Sequence, residues 1–259
     1  MELLLRLAIA PFVVLVATVA QRRFGHILGG RLVGLPLTTG PFLLLLCLTR
    51  GEAEAARAAT GIVAGQVSVV VFCIAYGWLA RRLPWGGTLA AAITAGVGCA
   101  TLLAAAHPRP WVAAVTVLVT IGSGLVTWPR SAAAPSGTSA PRPFETFVRM
   151  AVTGVLVACL AGAVRLLGPY LAGVLSTYPL ILSVMTPSTH STVGAGAAAE
   201  LVRGTLVSMV GTVVFVTALA YGLVPLGAGA AFAVAVAGLL AGDGAARAVV
   251  PRLATATAT

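Results

Sequence analysis

Residues 27–36 read Ile27-Leu-Gly-Gly-Arg-Leu-Val-Gly-Leu-Pro36, and residues 170–179 read Tyr170-Leu-Ala-Gly-Val-Leu-Ser-Thr-Tyr-Pro179. Leu28, Gly30, Leu32 and Pro36 of the first stretch meet Leu171, Gly173, Leu175 and Pro179 of the second at a single offset of 143 residues. Working outward, that offset holds without a gap from Glu2 to Phe72. It aligns Glu2 with Glu145, Arg6 with Arg149, Arg22 with Arg165, Gly25 with Gly168, Gly61 with Gly204, and Val70-Val71-Phe72 with Val213-Val214-Phe215. A two-residue insertion then brings Ala75-Tyr76-Gly77 onto Ala220-Tyr221-Gly222, and Pro84 later falls on Pro225. Biased composition produces chance Ala and Leu matches, but it does not place Arg, Glu, Pro and aromatic matches at one shift. The chain is an internal duplication.

Both copies belong in a membrane. Of 259 residues, 59% are hydrophobic and 8% charged, with a mean hydropathy of +1.04, whereas a soluble domain carries roughly a quarter charged residues. A soluble globular fold, a disordered chain and a collagen-like repeat are excluded on these numbers. Apolar windows bounded by Arg, Pro or Gly predict an all-α, polytopic transmembrane helix bundle of nine spans, at 3–20, 27–49, 58–80, 86–106, 110–128, 146–164, 169–187, 201–222 and 224–242. The first is read as a helix because Arg6 interrupts it and no small-residue cleavage site precedes Arg22. Residues 1–106 form the first repeat, 107–143 a connecting transmembrane helix and a Pro/Ser-rich linker, 144–243 the second repeat, and 244–259 a C-terminal tail.

A single helix between two four-span units starts the second unit on the opposite side, so the repeats are expected to be inverted. The charges agree. The segments after the first and third spans of the first repeat carry Arg22, Arg23, Arg31, Arg81 and Arg82, while their counterparts carry Arg165. Over the chain, eleven of the sixteen basic residues, all Arg, fall on one side, which the positive-inside rule makes cytoplasmic. The N-terminus is then outside and the C-terminus inside. The net charge of +10 is scattered between apolar runs and does not form a stripe for nucleic acid. The bilayer is the first partner.

The second and seventh spans are both interrupted. One contains Pro36, Thr38, Thr39, Gly40 and Pro41, the other Ser176, Thr177, Tyr178, Pro179 and Ser183, followed by Thr186, Pro187 and His190. Proline removes a backbone donor, and the carbonyls it frees cannot face lipid. Gly/Pro-interrupted segments at matching places in two halves point to a midplane binding site. Pro36, Thr38, Thr39, Gly40, Ser176, Thr177, Tyr178, Pro179 and Ser183 are therefore the candidate solute-binding residues. The same residue types also serve close packing and kinking in membrane helices. Arg6, Arg149 and Glu145 form a candidate charged interface, since each Arg follows a Glu by four residues. Gln66 is the most deeply placed amide and reads as packing glue between helices.

Every acid, Glu2, Glu52, Glu54, Glu145, Glu200 and Asp243, is expected near a span end, which disfavours simple proton antiport. No HExxH, GxSxG or CxxC pattern is present, so no catalytic residue, metal or cofactor is expected.

Tyr170-Leu-Ala-Gly173, Tyr178-Pro179 and the Arg203-Gly204 start of the next helix resemble the small four-span bacterial membrane proteins of the GlpM type. The likeness covers residues 146–240 and, more weakly, 3–105, where Ile27 and Gly29 replace Tyr170 and Ala172. It implies a fused duplicate of such a unit in the bacterial cytoplasmic (inner) membrane, with a link to exopolysaccharide production. The functional expectation is a permease for a small solute or lipid-like molecule. The alternative is a non-transporting accessory protein of an export or exopolysaccharide synthesis complex, with a homo-oligomer or membrane complex as partner.

Overall fold

The computed structural model describes residues 25–37, 39–129 and 169–256, together with residues 19, 23 and 151. The expected spans at 3–20 and 146–164, the linker, and Arg6, Thr38, Glu145 and Arg149 lie outside the described residues. The described segments contain helices and no strand, as a chain needs where lipid satisfies no backbone group.

Helix α1 (His26–Gly34) stops at Leu35, which takes an extended conformation ahead of Pro36, and α2 (Thr39–Arg50) completes the span. Gly51, at φ 89°, turns the chain into α3 (Glu52–Leu79), whose first turn carries Glu52 and Glu54 against the positive helix end. After Pro84 comes α4 (Trp85–Ala105). The connecting helix α5 (Pro110–Val126) begins with proline, where a missing N–H costs nothing. In the second repeat, α6 (Pro169–Ser176) and α7 (Leu180–Thr192) flank a break at Thr177, Tyr178 and Pro179. Gly194 then turns the chain at φ 119°, and it is the repeat partner of Gly51. L-residues pay for that left-handed conformation and glycine does not. Last, α8 (Ala195–Ala256) is broken at Gly227 (φ 75°, ψ 163°) into arms 195–226 and 228–256.

Five of these helical stretches are long and apolar enough to cross a membrane: His26–Arg50, Glu52–Leu79, Trp85–Ala105, Pro169–Thr192 and Ala195–Ala248; α5 is a shorter apolar helix. They correspond to the spans expected at 27–49, 58–80, 86–106 and 169–187, with 201–222 and 224–242 joined in α8. Arg31 sits inside α1 and is half-buried. The helix of the last span continues past residue 242, so Asp243 is well inside it. The main chain of Asp243 packs opposite Gly211 of the first arm, five residues before the apolar stretch ends at Ala248. Asp243 forms an ion pair through one oxygen with Arg247 one turn on, while its Oδ1 is buried and unpartnered among the described residues.

The hub is α3, the most buried of the five spans, with Ile62, Phe72 and Tyr76 fully enclosed. Leu48, Leu102 and Leu240 turn outward, as lipid-facing residues do. The first arm of α8 runs antiparallel to α3. Glu52 at the start of α3 accepts a 3.0 Å hydrogen bond from the Ala228 N–H, beyond the far end of that arm, while Tyr76 near the end of α3 meets His190, just before its beginning.

Each broken span crosses onto the other repeat. A Cβ on Gly30 of α1 would overlap the Leu201 carbonyl of α8, and one on Gly173 of α6 would overlap the Ala58 carbonyl of α3. Reciprocally, Gly204 lies under the Ile27 carbonyl and Gly61 under the Tyr170 carbonyl. All four contacts exchange under the 143-residue offset. Only a residue without Cβ lets backbones approach so closely, the small-residue packing that membrane helices use in place of a hydrophobic drive.

Candidate functional site

The break between α6 and α7 begins with hydroxyls folding back on their own helix. Ser176 Oγ donates to the Gly173 carbonyl (2.7 Å), Thr177 Oγ1 to Val174 (2.6 Å) and Ser183 Oγ to Pro179 (2.8 Å). Such back-bonding is the default for Ser and Thr where water is scarce. Backbone donors at the break are partly used as well, Leu180 N–H by Tyr178 and Ser183 N–H by Pro179. Four residues later Pro187 stands inside α7 and cannot donate to the Ser183 carbonyl.

Two fixed points place this span on α3. The Thr177 side chain fills the space where a Cβ of Gly65 would be, and the Tyr76 hydroxyl lies 3.2 Å from His190 Nδ1, with the rings edge to face. Between these points α7 packs mainly on α8 and α4. Gly61, Gly65, Ser68, Phe72 and Tyr76 recur every three or four residues and share one face. Ser68 and Phe72 of that face also meet Gly96 of α4. Gln66 neighbours Gly65 and is one turn beyond Ile62, whose backbone N backs onto Gly173.

Gln66, Ser68 and Thr186 are 2%, 4% and 0% exposed, and Gln66 Oε1, Ser68 Oγ and Thr186 Oγ1 have no hydrogen-bond partner. Leaving a buried polar group unpaired costs about 1–3 kcal/mol. Gln66 and Ser68, two residues apart, leave α3 on opposite faces, so the unpaired oxygens are separate features of this half of the molecule. Within 58–79 of α3, 85–105 of α4, α5 and 169–192, the chain holds no Asp, Glu, Lys or Arg. This region is polar but uncharged.

The other crossing is built differently. There the hydroxyls stand on the long helix and reach across to the broken one: Thr205 Oγ1 donates to the Gly30 carbonyl (3.0 Å) and Thr212 Oγ1 to the Gly34 carbonyl (2.7 Å). The repeat partners of Gln66, Ser68 and Thr186 are Met209, Gly211 and Leu43, none with a side chain needing a hydrogen-bond partner.

Of the residues expected to line a path, Pro36, Gly40 and Pro179 are buried, and Thr39, Ser176, Thr177, Tyr178 and Ser183 are half-buried. Gly40 packs against the Phe215 ring of α8. The two broken spans meet through an apolar cluster in which Val33 of α1 and Ile181 of α7 pack on Met185 and Leu201. Sequence reading assigned Gln66 to packing and did not select Ser68 or Thr186 for the site. Helical spacing from Gly61 and Gly65 was the available signal for Ser68, and it acquires meaning only once those glycines are known to carry the broken span. Among the described residues, no group of three or more His, Cys, Asp or Glu side chains is placed to hold a metal ion.

Compared with protein-family models, curated proteins and solved structures, the chain matches none.

Proposed function

We propose that this chain is a permease of the bacterial cytoplasmic membrane, a fused duplicate of a GlpM-type four-span unit. Its two repeats are inverted about α5, and the solute path follows the broken span α6–α7 where it crosses α3. The observation that carries the reading is the pair of spans broken at Pro36 and Pro179, with the buried, unpartnered oxygens of Gln66 and Ser68 on the helix that the second of them crosses. Polar side chains at such depth are costly unless they serve a substrate path or a packing contact, and here no packing partner takes them up.

Inversion is supported by the antiparallel course of α3 and the first arm of α8, which are repeat equivalents, and by the exchange of Gly30/Leu201 with Gly173/Ala58. Two structurally related halves of opposite orientation can alternate about a central site. The N-terminus is outside and the C-terminus inside, following the arginine bias.

Cysteine labelling in oriented vesicles tests both parts, in a chain freed of its native cysteines. Arg82→Cys after α3 and Leu226→Cys at the end of the first α8 arm are expected to react from opposite sides with a membrane-impermeant maleimide. Reaction from the same side overturns the inversion. Thr186→Cys is expected to react with a water-soluble methanethiosulfonate, and a thiol inert under conditions that label Arg82→Cys removes the path.

A further inference from the structure

We infer that Arg31 binds the phosphate of an anionic phospholipid at the arginine-rich end of α1. Only the membrane setting is required for this, not transport. Arg31 follows His26, the first residue of the membrane-length stretch His26–Arg50, by five positions, so its Cα lies about 7.5 Å along the helix axis from that end. Ile27 and Leu28, four and three residues before it, share its face of the helix. They are 38% and 41% exposed, and exposed apolar side chains on a spanning helix face lipid. Arg31 is half-buried beside them. It stands at the edge of the contact that Gly30 and Gly34 make with α8, where lipid begins.

Among the described residues no acid neutralises Arg31. The ion pairs join Arg57 to Glu54 and Arg247 to Asp243, and Glu200, next to the Leu201 carbonyl that covers Gly30, does not pair with it. Arg31 Nε is enclosed and has no hydrogen-bond partner. A guanidinium stays charged, and an unpaired charge inside a span is costly. A phosphate supplies both missing things, a negative charge and oxygens spaced for two parallel N–H donors of one guanidinium. The ligand comes from the lipid because the face it must approach is the one that Ile27 and Leu28 present to the bilayer. The reach of an arginine stem from the second helical turn brings the charged group to headgroup level. Neighbouring charge favours an anionic lipid over a zwitterionic one: Arg23 precedes α1, Arg203 lies two residues past Leu201, and Arg81 and Arg82 follow Tyr76, which meets His190 just before α8. Val174 occupies the equivalent position in the other repeat, so the site is not duplicated.

Native mass spectrometry of the full chain, delipidated in detergent, tests this with three probes: phosphatidylglycerol, phosphatidylcholine of the same acyl chains, and inorganic phosphate. Phosphatidylglycerol is expected to be retained over phosphatidylcholine, and Arg31→Gln is expected to weaken it about fivefold, the effect of one basic residue at an anionic surface. Arg31→Lys keeps the charge and loses the planar fork, so it is expected to fall between the two and serves as the second variant if the first does not fold. Arg57→Gln, at the opposite end of the bundle and paired with Glu54, is expected to leave lipid binding unchanged. Equal retention of the two lipids, or phosphatidylglycerol binding indifferent to both Arg31 variants, overturns the site. An equal loss in Arg57→Gln also overturns it, since the effect is then one of total charge. Arg31-dependent binding of inorganic phosphate with no preference between the lipids assigns the residue to a free anion and overturns the lipid.

Discussion

The crossing of α1 on α8 and the crossing of α6 on α3 have the same backbone plan and opposite polar economies. In both, a glycine of the broken span sits against a carbonyl of the long helix, and a glycine of the long helix sits under a carbonyl of the broken span. On α8 the hydroxyls of Thr205 and Thr212 reach across and close the interface. On α3 the hydroxyls of Ser176 and Thr177 turn back on their own helix, and Gln66, Ser68 and Thr186 are left with unpaired oxygens. The difference teaches that duplication preserved the steric contact, which tolerates no Cβ, while the polar side chains around it diverged. One crossing is closed by hydroxyls that bond across it and the other is open in that sense, although Arg31 Nε on α1 is also left unpaired.

Glycine replacement probes what the two crossings share. Gly30→Ala and Gly173→Ala each force a Cβ onto a backbone carbonyl, and each is expected to lower stability by about 2–3 kcal/mol, the upper part of the overpacking range. Reversible unfolding in mixed dodecylmaltoside and SDS micelles measures it. Unequal losses, with one near zero, would break the equivalence.

Removal of hydroxyls separates the crossings. Thr205→Val and Thr212→Val each delete an interhelical hydrogen bond, so losses of about 0.6–1.7 kcal/mol are expected in the same assay. A cap found at only one end of the molecule comes next. Glu52, whose repeat partner is Ala195, accepts from the Ala228 N–H at the Gly227 break, and Glu52→Ala is expected to cost about 1 kcal/mol, as loss of a helix cap does. If it costs nothing, that contact does not hold the second arm. The smallest effect belongs to the open crossing, where Ser176→Ala and Ser183→Ala remove only bonds within a helix and are expected to shift stability by less than about 0.5 kcal/mol. A larger loss at these two positions would mean that their hydroxyls fasten the interface after all.

Much of the site's location was legible in the sequence, and its chemistry was only partly so. Pro36 and Pro179 announced both breaks, because proline removes a helical donor and pushes the residue before it out of the helical region. Thr177 and Ser183 were selected as liners because hydroxyls beside a break are available in principle, yet the structure commits their protons to nearby carbonyls. Gln66 was visible as a deep amide, but whether such a group is glue or ligand depends on what faces it. Asp243 was placed near a span end because a hydropathy window stops at a charge; the helix runs on past it, with Arg247 paired one turn further.

By itself the sequence determined the membrane setting, the duplication, the positions of the breaks and the uncharged character of the central helices. These follow from composition, self-similarity and the covalent nature of proline, which act without regard to neighbours. Tertiary structure alone decided that each broken span lies on the other repeat, that α3 and the first arm of α8 run antiparallel, and which buried oxygens go unpaired. Hydrogen-bond satisfaction is a property of two groups at once, and whether a hydroxyl such as Thr205 or Thr212 finds a carbonyl is decided by packing between segments more than one hundred residues apart.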